Sequence, residues 1–201
     1  MNAWLALARA IDRMSEWVGR WLAWLVLAAV LISAANASVR KAFNVSSNAY
    51  LEIQWYLFAA VFLLAAGYTL LRQEHVRIDV LLARFSRRTQ AAVEAACLVL
   101  FLLPFCLSVI DLAVPLVLNA WRTGEMSNNA GGLIRWPVYA LVPIGFTLLL
   151  LQGVSEFIKR IAFLMGRAPD PGRKQQTRSA EEELADVIRA RAAGAAEGAD
   201  K

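Results

Sequence analysis

The chain has 201 residues, 59% of them hydrophobic, and a formal net charge of +5 from 21 basic and 16 acidic side chains. Soluble domains average about 45–50% apolar residues, and the excess here comes in long blocks, which excludes an ordinary soluble domain. Aromatic residues lie inside the blocks and basic residues flank them, which excludes nucleic acid as a partner, because phosphate contact wants basic and stacking residues side by side.

Residues 1–17 read as a cytoplasmic amphipathic segment, in which AWLALARAIDRMSEW (3–17) has the spacing of a short helix lying on the membrane surface. The first apolar block, Trp21–Ala37, contains only Ser33 and Asn36 as polar residues and with its flanks gives a span over 18–39. It is longer than the roughly 7–15 apolar residues of a secretory signal, and ISAANA is a weak cleavage site, so an uncleaved anchor is expected.

The second block, Trp55–Leu71, carries no charge and predicts a span over 50–71. Glu52 at its start is expected in the first helical turn, favoured there by the helix dipole and within reach of Arg40 or Lys41. The following loop, HVRIDVLLARFSRRTQ, mixes apolar residues with arginines. Glu74, His75, Arg77, Asp79, Arg84, Arg87 and Arg88 belong to a segment at the membrane surface, either a helix lying in the interface or a tight turn with snorkelling arginines. His75 is the only histidine, and a metal site wants several ligands at suitable spacing, so no metal is expected.

The third block, Ala95–Leu118, predicts a span over 91–118. Its cysteines, Cys97 and Cys106, stand about 13 Å apart along a continuous helix, too far for a disulfide. Asp111 is its single charge, between Pro104 and Pro115 and past the middle of the block towards its outer end, and an acid at such a place reads as a structural or subunit-contact residue or as a site of ion coupling. The prolines can kink the helix and leave carbonyls needing partners. In the next loop Gly124, Gly131 and Gly132 permit tight turns, Pro137 suits a first helical turn, and Trp121 and Trp136 suit the interface belt. The fourth span is expected over 136–158, closing a membrane domain of 18–160, and residues 161–201 form a polar, largely disordered cytoplasmic tail.

Lysine and arginine number three before Trp21, five in the second loop and nine after Ile158, against two in each of the other two loops. That bias puts both termini and the second loop in the cytoplasm. The fold class is therefore all-α: an integral membrane four-helix protein with a short interfacial amphipathic helix. No nucleophile–base arrangement, phosphate loop or pair of in-span haem histidines is present, so neither catalysis nor a cofactor is expected.

EIQWYLFAAVFLLAAGYTLLRQEHVRIDVL (Glu52–Leu81) and GEMSNNAGGLIRWPVYALVPIGF (Gly124–Phe146), set in a four-span layout, resemble the small permease subunit of tripartite ATP-independent periplasmic (TRAP) transporters over roughly Trp21 to Arg160. The resemblance implies a bacterial inner-membrane scaffold, packed against a large permease subunit that a sodium gradient drives to take up organic acids. A periplasmic substrate-binding protein docks transiently, and lipid covers the rest. It places Glu52, Gln54, Trp55, Tyr56, Glu125, Ser127, Asn128, Arg135 and Trp136 at partner interfaces, and the charge of Asp111 inside its span adds that residue to them. The alternative is a self-sufficient, proton-coupled four-span transporter acting as a homo-oligomer, with Asp111 as its membrane acid.

Overall fold

The computed structural model describes residues 2–43, 48–73, 85–169 and 171. All described helices belong to one compact unit, Met1–Pro169; a second, Asp170–Lys201, lies outside the described residues except for Pro171. Of the described residues 86% are helical and none is in a strand, and four helices are long and apolar enough to cross a membrane, which bears out the all-α four-span reading. The surface-segment residues Glu74, His75, Arg77, Asp79 and Arg84, and the polar stretch 172–201, lie outside the described residues.

The first helix, α1, runs unbroken from Asn2 to Phe43. The stretch expected as a separate surface helix is thus the first part of the same rod. Nothing between them stops a helix: the segment has no proline, and its one glycine is Gly19. At 1.5 Å per residue α1 is about 63 Å long, twice a hydrocarbon core of about 30 Å, so its ends project beyond the lipid. Its buried positions, Ala8, Ile11, Ser15, Leu22 and Ala29, recur at three-, four- and seven-residue steps and make one narrow stripe.

The second helix, α2, covers Asn48–Arg72. Ser86 opens α3 (Arg87–Cys97) as its N-cap, its hydroxyl accepting from the Thr89 amide. Arg87 and Arg88 are exposed in the first turn. A π-helical turn, Leu98–Leu102, joins α3 to α4 (Leu103–Thr123) without a break. There the Leu103 amide bonds to the Leu98 carbonyl, five residues back instead of four. Pro104 follows at once, and having no N–H it cannot supply the ordinary four-back bond to Leu100. The expected disturbance at Pro104 is therefore a local widening of the helix, whereas Pro115 sits inside α4 with the helix continuous around it. Both cysteines are free, Cys106 buried and Cys97 exposed, as their separation required.

The last helix, α5 (Trp136–Leu164), packs against α1, α2, α3 and α4, so it is the central rod of the bundle. Close approach to α2 depends on glycine: a Cβ on Gly145 would stand 2.7 Å from the Leu63 carbonyl oxygen, and one on Gly67 would stand 3.2 Å from that of Leu148. Between helices in lipid such contact supplies the attraction, since burying apolar area away from equally apolar lipid gives little. The side chain of Leu102 in the π turn fills the space beside Gly153 on the same principle. Outward, α1 and α2 present Trp24, Val30, Leu31, Trp55, Phe58 and Phe62, all more than half exposed, as suits surfaces wetted by lipid.

Candidate functional site

Two polar assemblies occupy opposite ends of the bundle. At one end, Gly124 closes α4 in the left-handed conformation (φ 61°) and the Glu125 amide reaches back 3.1 Å to the Ala120 carbonyl. The chain then doubles back as a small hairpin. Arg135 N donates to Glu125 O and Ser127 N to Leu133 O, both at 2.9 Å, with a single antiparallel bridge between Met126 and Ile134. Gly131, at φ 71°, makes the turn, a conformation that costs glycine nothing and other residues a good deal.

The hairpin is fastened to α2 by Glu52, which is only 4% exposed. One carboxylate oxygen accepts from the Ser127 hydroxyl and from Asn129 Nδ2 (2.8 Å); the other accepts from the Leu133 amide at 2.6 Å. Asn48 Nδ2 donates to the Ala130 carbonyl at 3.0 Å, and the Tyr56 hydroxyl to that of Ile134 at 2.9 Å. Glu52, Asn48 and Tyr56 lie on one side of α2, at the four-residue spacing that stacks side chains along a helix. The sequence expectation for Glu52 is corrected in two ways. The helix starts at Asn48, so Glu52 falls beyond its first turn, and it is held by the third loop and not by Arg40 or Lys41.

The other expected interface residues divide. Glu125 and Arg135 face each other (3.2 Å) with the Tyr139 hydroxyl between them, so both serve the loop's own frame. Trp136 meets Trp121 edge-on, with ring centroids 4.5 Å apart. Asn128 and Trp55 are exposed. Gln54 lines a separate cleft of about 470 Å³ between α1 and α2 with Ser33, Asn36, Arg40 and Lys41. Asp111 stands apart from this group, exposed on α4.

The opposite end holds a network absent from the sequence expectations. Asp12 on α1 accepts from Gln152 Nε2 (2.9 Å), the Ser155 hydroxyl (2.7 Å) and Lys159 Nζ (3.0 Å) on α5. Ser15 donates to Gln152 Oε1 at 2.7 Å. Glu156 pairs with both Lys159 and Arg160, and Arg160 also reaches Glu94 of α3 at 2.8 Å. Gln152, Ser155, Glu156 and Arg160 are each at most 3% exposed. Every described buried side-chain nitrogen and oxygen has a partner, so the cluster meets the condition under which buried charge is tolerated. Counted along α5 from Trp136, Gln152 lies about 24 Å and Arg160 about 36 Å away, which puts the charged part at the far edge of a core about 30 Å thick. Chemically both assemblies are fasteners: each joins helices distant in sequence through saturated hydrogen bonds.

The family model for tripartite ATP-independent periplasmic transporters, DctQ component, matches residues 29–163, two thirds of the chain. No curated protein and no solved structure matches it. The matched span takes in the hairpin, Glu52, Asp111 and the α5 side of the charged network. The chain therefore belongs to the DctQ family, the small membrane components of TRAP transporters.

Proposed function

We propose that this chain is the fixed membrane partner of a large permease subunit in sodium-driven uptake of organic acids. It sits in the bacterial inner membrane with both termini cytoplasmic, and the hairpin end faces the periplasm, where a substrate-binding protein docks. The observation that carries the reading is that the bundle is fastened at both ends: Glu52 ties the hairpin to α2, and the Asp12–Glu156–Arg160 network ties α1 and α3 to α5. A body locked this way suits a part against which another subunit moves. The polar groups that the hairpin leaves exposed, Asn128 and the rim of the Arg40–Lys41 cleft, offer the docking protein hydrogen bonds and positive charge. The arginine-rich ends favour the stated orientation, and no catalytic step is assigned to any residue.

In a strain lacking the gene for this chain but keeping those for the large subunit and binding protein, sodium-dependent organic-acid uptake is expected to be lost, and a plasmid copy to restore it. Undiminished uptake in the deleted strain would overturn the reading.

A further inference from the structure

Among the described helices α4 is covered on one side only. It packs on α5 through Cys106, Ala113 and Ala120, small buried residues at seven-residue steps. On a helix turning about 100° per residue, the opposite side carries Pro104, Ser108, Asp111, Pro115, Asn119 and Arg122, and all six are exposed. Asn119 and Arg122 lie at the headgroup level beside Trp121, but Ser108 and Asp111 on the same side are wrong for lipid tails. Trp121 marks the interface at the hairpin end, and Asp111 lies ten residues inward of it, about 15 Å, near the middle of a core about 30 Å thick.

Two acceptors meet at that depth. No described residue pairs with the Asp111 carboxylate. The Asp111 main-chain carbonyl would take its helical hydrogen bond from residue 115, and Pro115 has no N–H to give. A bilayer supplies no donors at this depth, and acids there face protein or a water-filled cavity. A second copy of this chain is a poor answer. Copies sharing one orientation in the membrane and meeting across a two-fold axis on this side would set Asp111 against Asp111, acceptor against acceptor. Arg122 is about 16 Å away along the helix and cannot serve.

We propose that the Ser108–Asp111–Asn119 side of α4 seats a transmembrane helix of the large permease subunit, and that this helix brings a basic side chain to Asp111. The inference rests on the chain's being the small subunit, and it goes further by choosing one surface of the bundle. The test uses the two membrane subunits co-expressed, with a benzoylphenylalanine crosslinker placed at position 108 or 119 on α4 and, for comparison, at position 30 on α1. Adducts with the large subunit are expected from 108 and 119 and not from 30. Asp111→Leu should reduce recovery of the complex about tenfold, and Asp111→Asn, which keeps an acceptor, by less. Adducts between two copies of this chain at position 108, or capture of the large subunit from position 30 alone, would overturn the choice of surface while leaving the small-subunit reading intact. Failure of the unsubstituted chains to form any complex would instead sink that reading.

Discussion

Arg160→Met is expected to destabilise the bundle by about 3–5 kcal/mol, the usual consequence of removing one partner from a buried ion pair. The guanidinium serves two carboxylates at once, Glu156 on its own helix and Glu94 on α3. Glu156 is 1% exposed and water cannot easily take the place of the lost partner. The double variant Glu156→Leu/Arg160→Met should be less damaged than the single one, because it removes the buried acid together with its base and leaves apolar side chains of similar volume. Neither substitution touches the Lys159–Asp12 contact of 3.0 Å, and because Glu156 also pairs with Lys159, the comparison reads the burial of the Glu156 carboxylate rather than one isolated pair. Thermal unfolding of the detergent-solubilised protein, followed by size-exclusion fluorescence, provides the measurement. A double variant weaker than the single would show that Glu156 is stabilising even without Arg160, through Lys159, and would refute the argument from burial.

Glu52→Leu is expected to release the hairpin from α2. The substitution leaves the Ser127 hydroxyl, the Asn129 amide and the Leu133 N–H without their acceptor in a pocket where the leucine offers none. Gly132 packs against Ser127 and the Glu52 carboxylate, so the pocket is closely filled and the loop cannot simply settle inward. Uptake by the assembled transporter should fall by about tenfold, on the scale of losing a central interface residue, and a cysteine placed at Asn128 should react with an impermeant maleimide faster than in the parent. Glu52→Gln should be intermediate: its amide oxygen still accepts, but its NH2 must face a donor. Glu52→Asp should resemble the leucine variant, since a side chain one methylene shorter cannot span the same partners. Wild-type uptake by Glu52→Leu would mean that the hairpin takes no part in docking.

The spans were legible because lipid imposes a simple requirement: an apolar run long enough to cross, with charge at its ends. That test finds all four helices, and the basic flanks add the expected orientation. It says little about where a helix stops outside the lipid, so α1 extends sixteen residues before the expected first span and α5 six residues beyond the expected fourth. The hairpin site was legible in part. Glu52, Tyr56 and Ser127 stand out in the sequence as interface residues, and in the structure Glu52 and Tyr56 of α2 each bond to the hairpin that holds Ser127. What the sequence could not show is that Ser127 bonds to Glu52 and Tyr56 to the Ile134 carbonyl, because pairing across 75 and 78 residues is a matter of tertiary packing.

The charged network was missed although a signal exists. Gln152, Ser155, Glu156, Lys159 and Arg160 recur at three- and four-residue steps on one side of α5, and Asp12 and Ser15 do the same on α1. Read only as the polar flank of a span, the α5 group suggests headgroup contact. A polar stripe repeating at helical spacing beside a second such stripe is better read as two halves of a buried contact. On α4 likewise, Asp111, Pro104 and Pro115 are conspicuous in the sequence, whereas Ser108 and Asn119 on the same side are not.

The central claim is that this chain is indispensable to transport and yet does not itself transport. The direct measurement is sodium-driven organic-acid uptake into proteoliposomes holding this chain alone, the large subunit alone, or both, each with the binding protein added outside. Uptake is expected only with both membrane subunits present. Uptake by vesicles holding this chain alone, or undiminished uptake by those holding only the large subunit, would contradict the account.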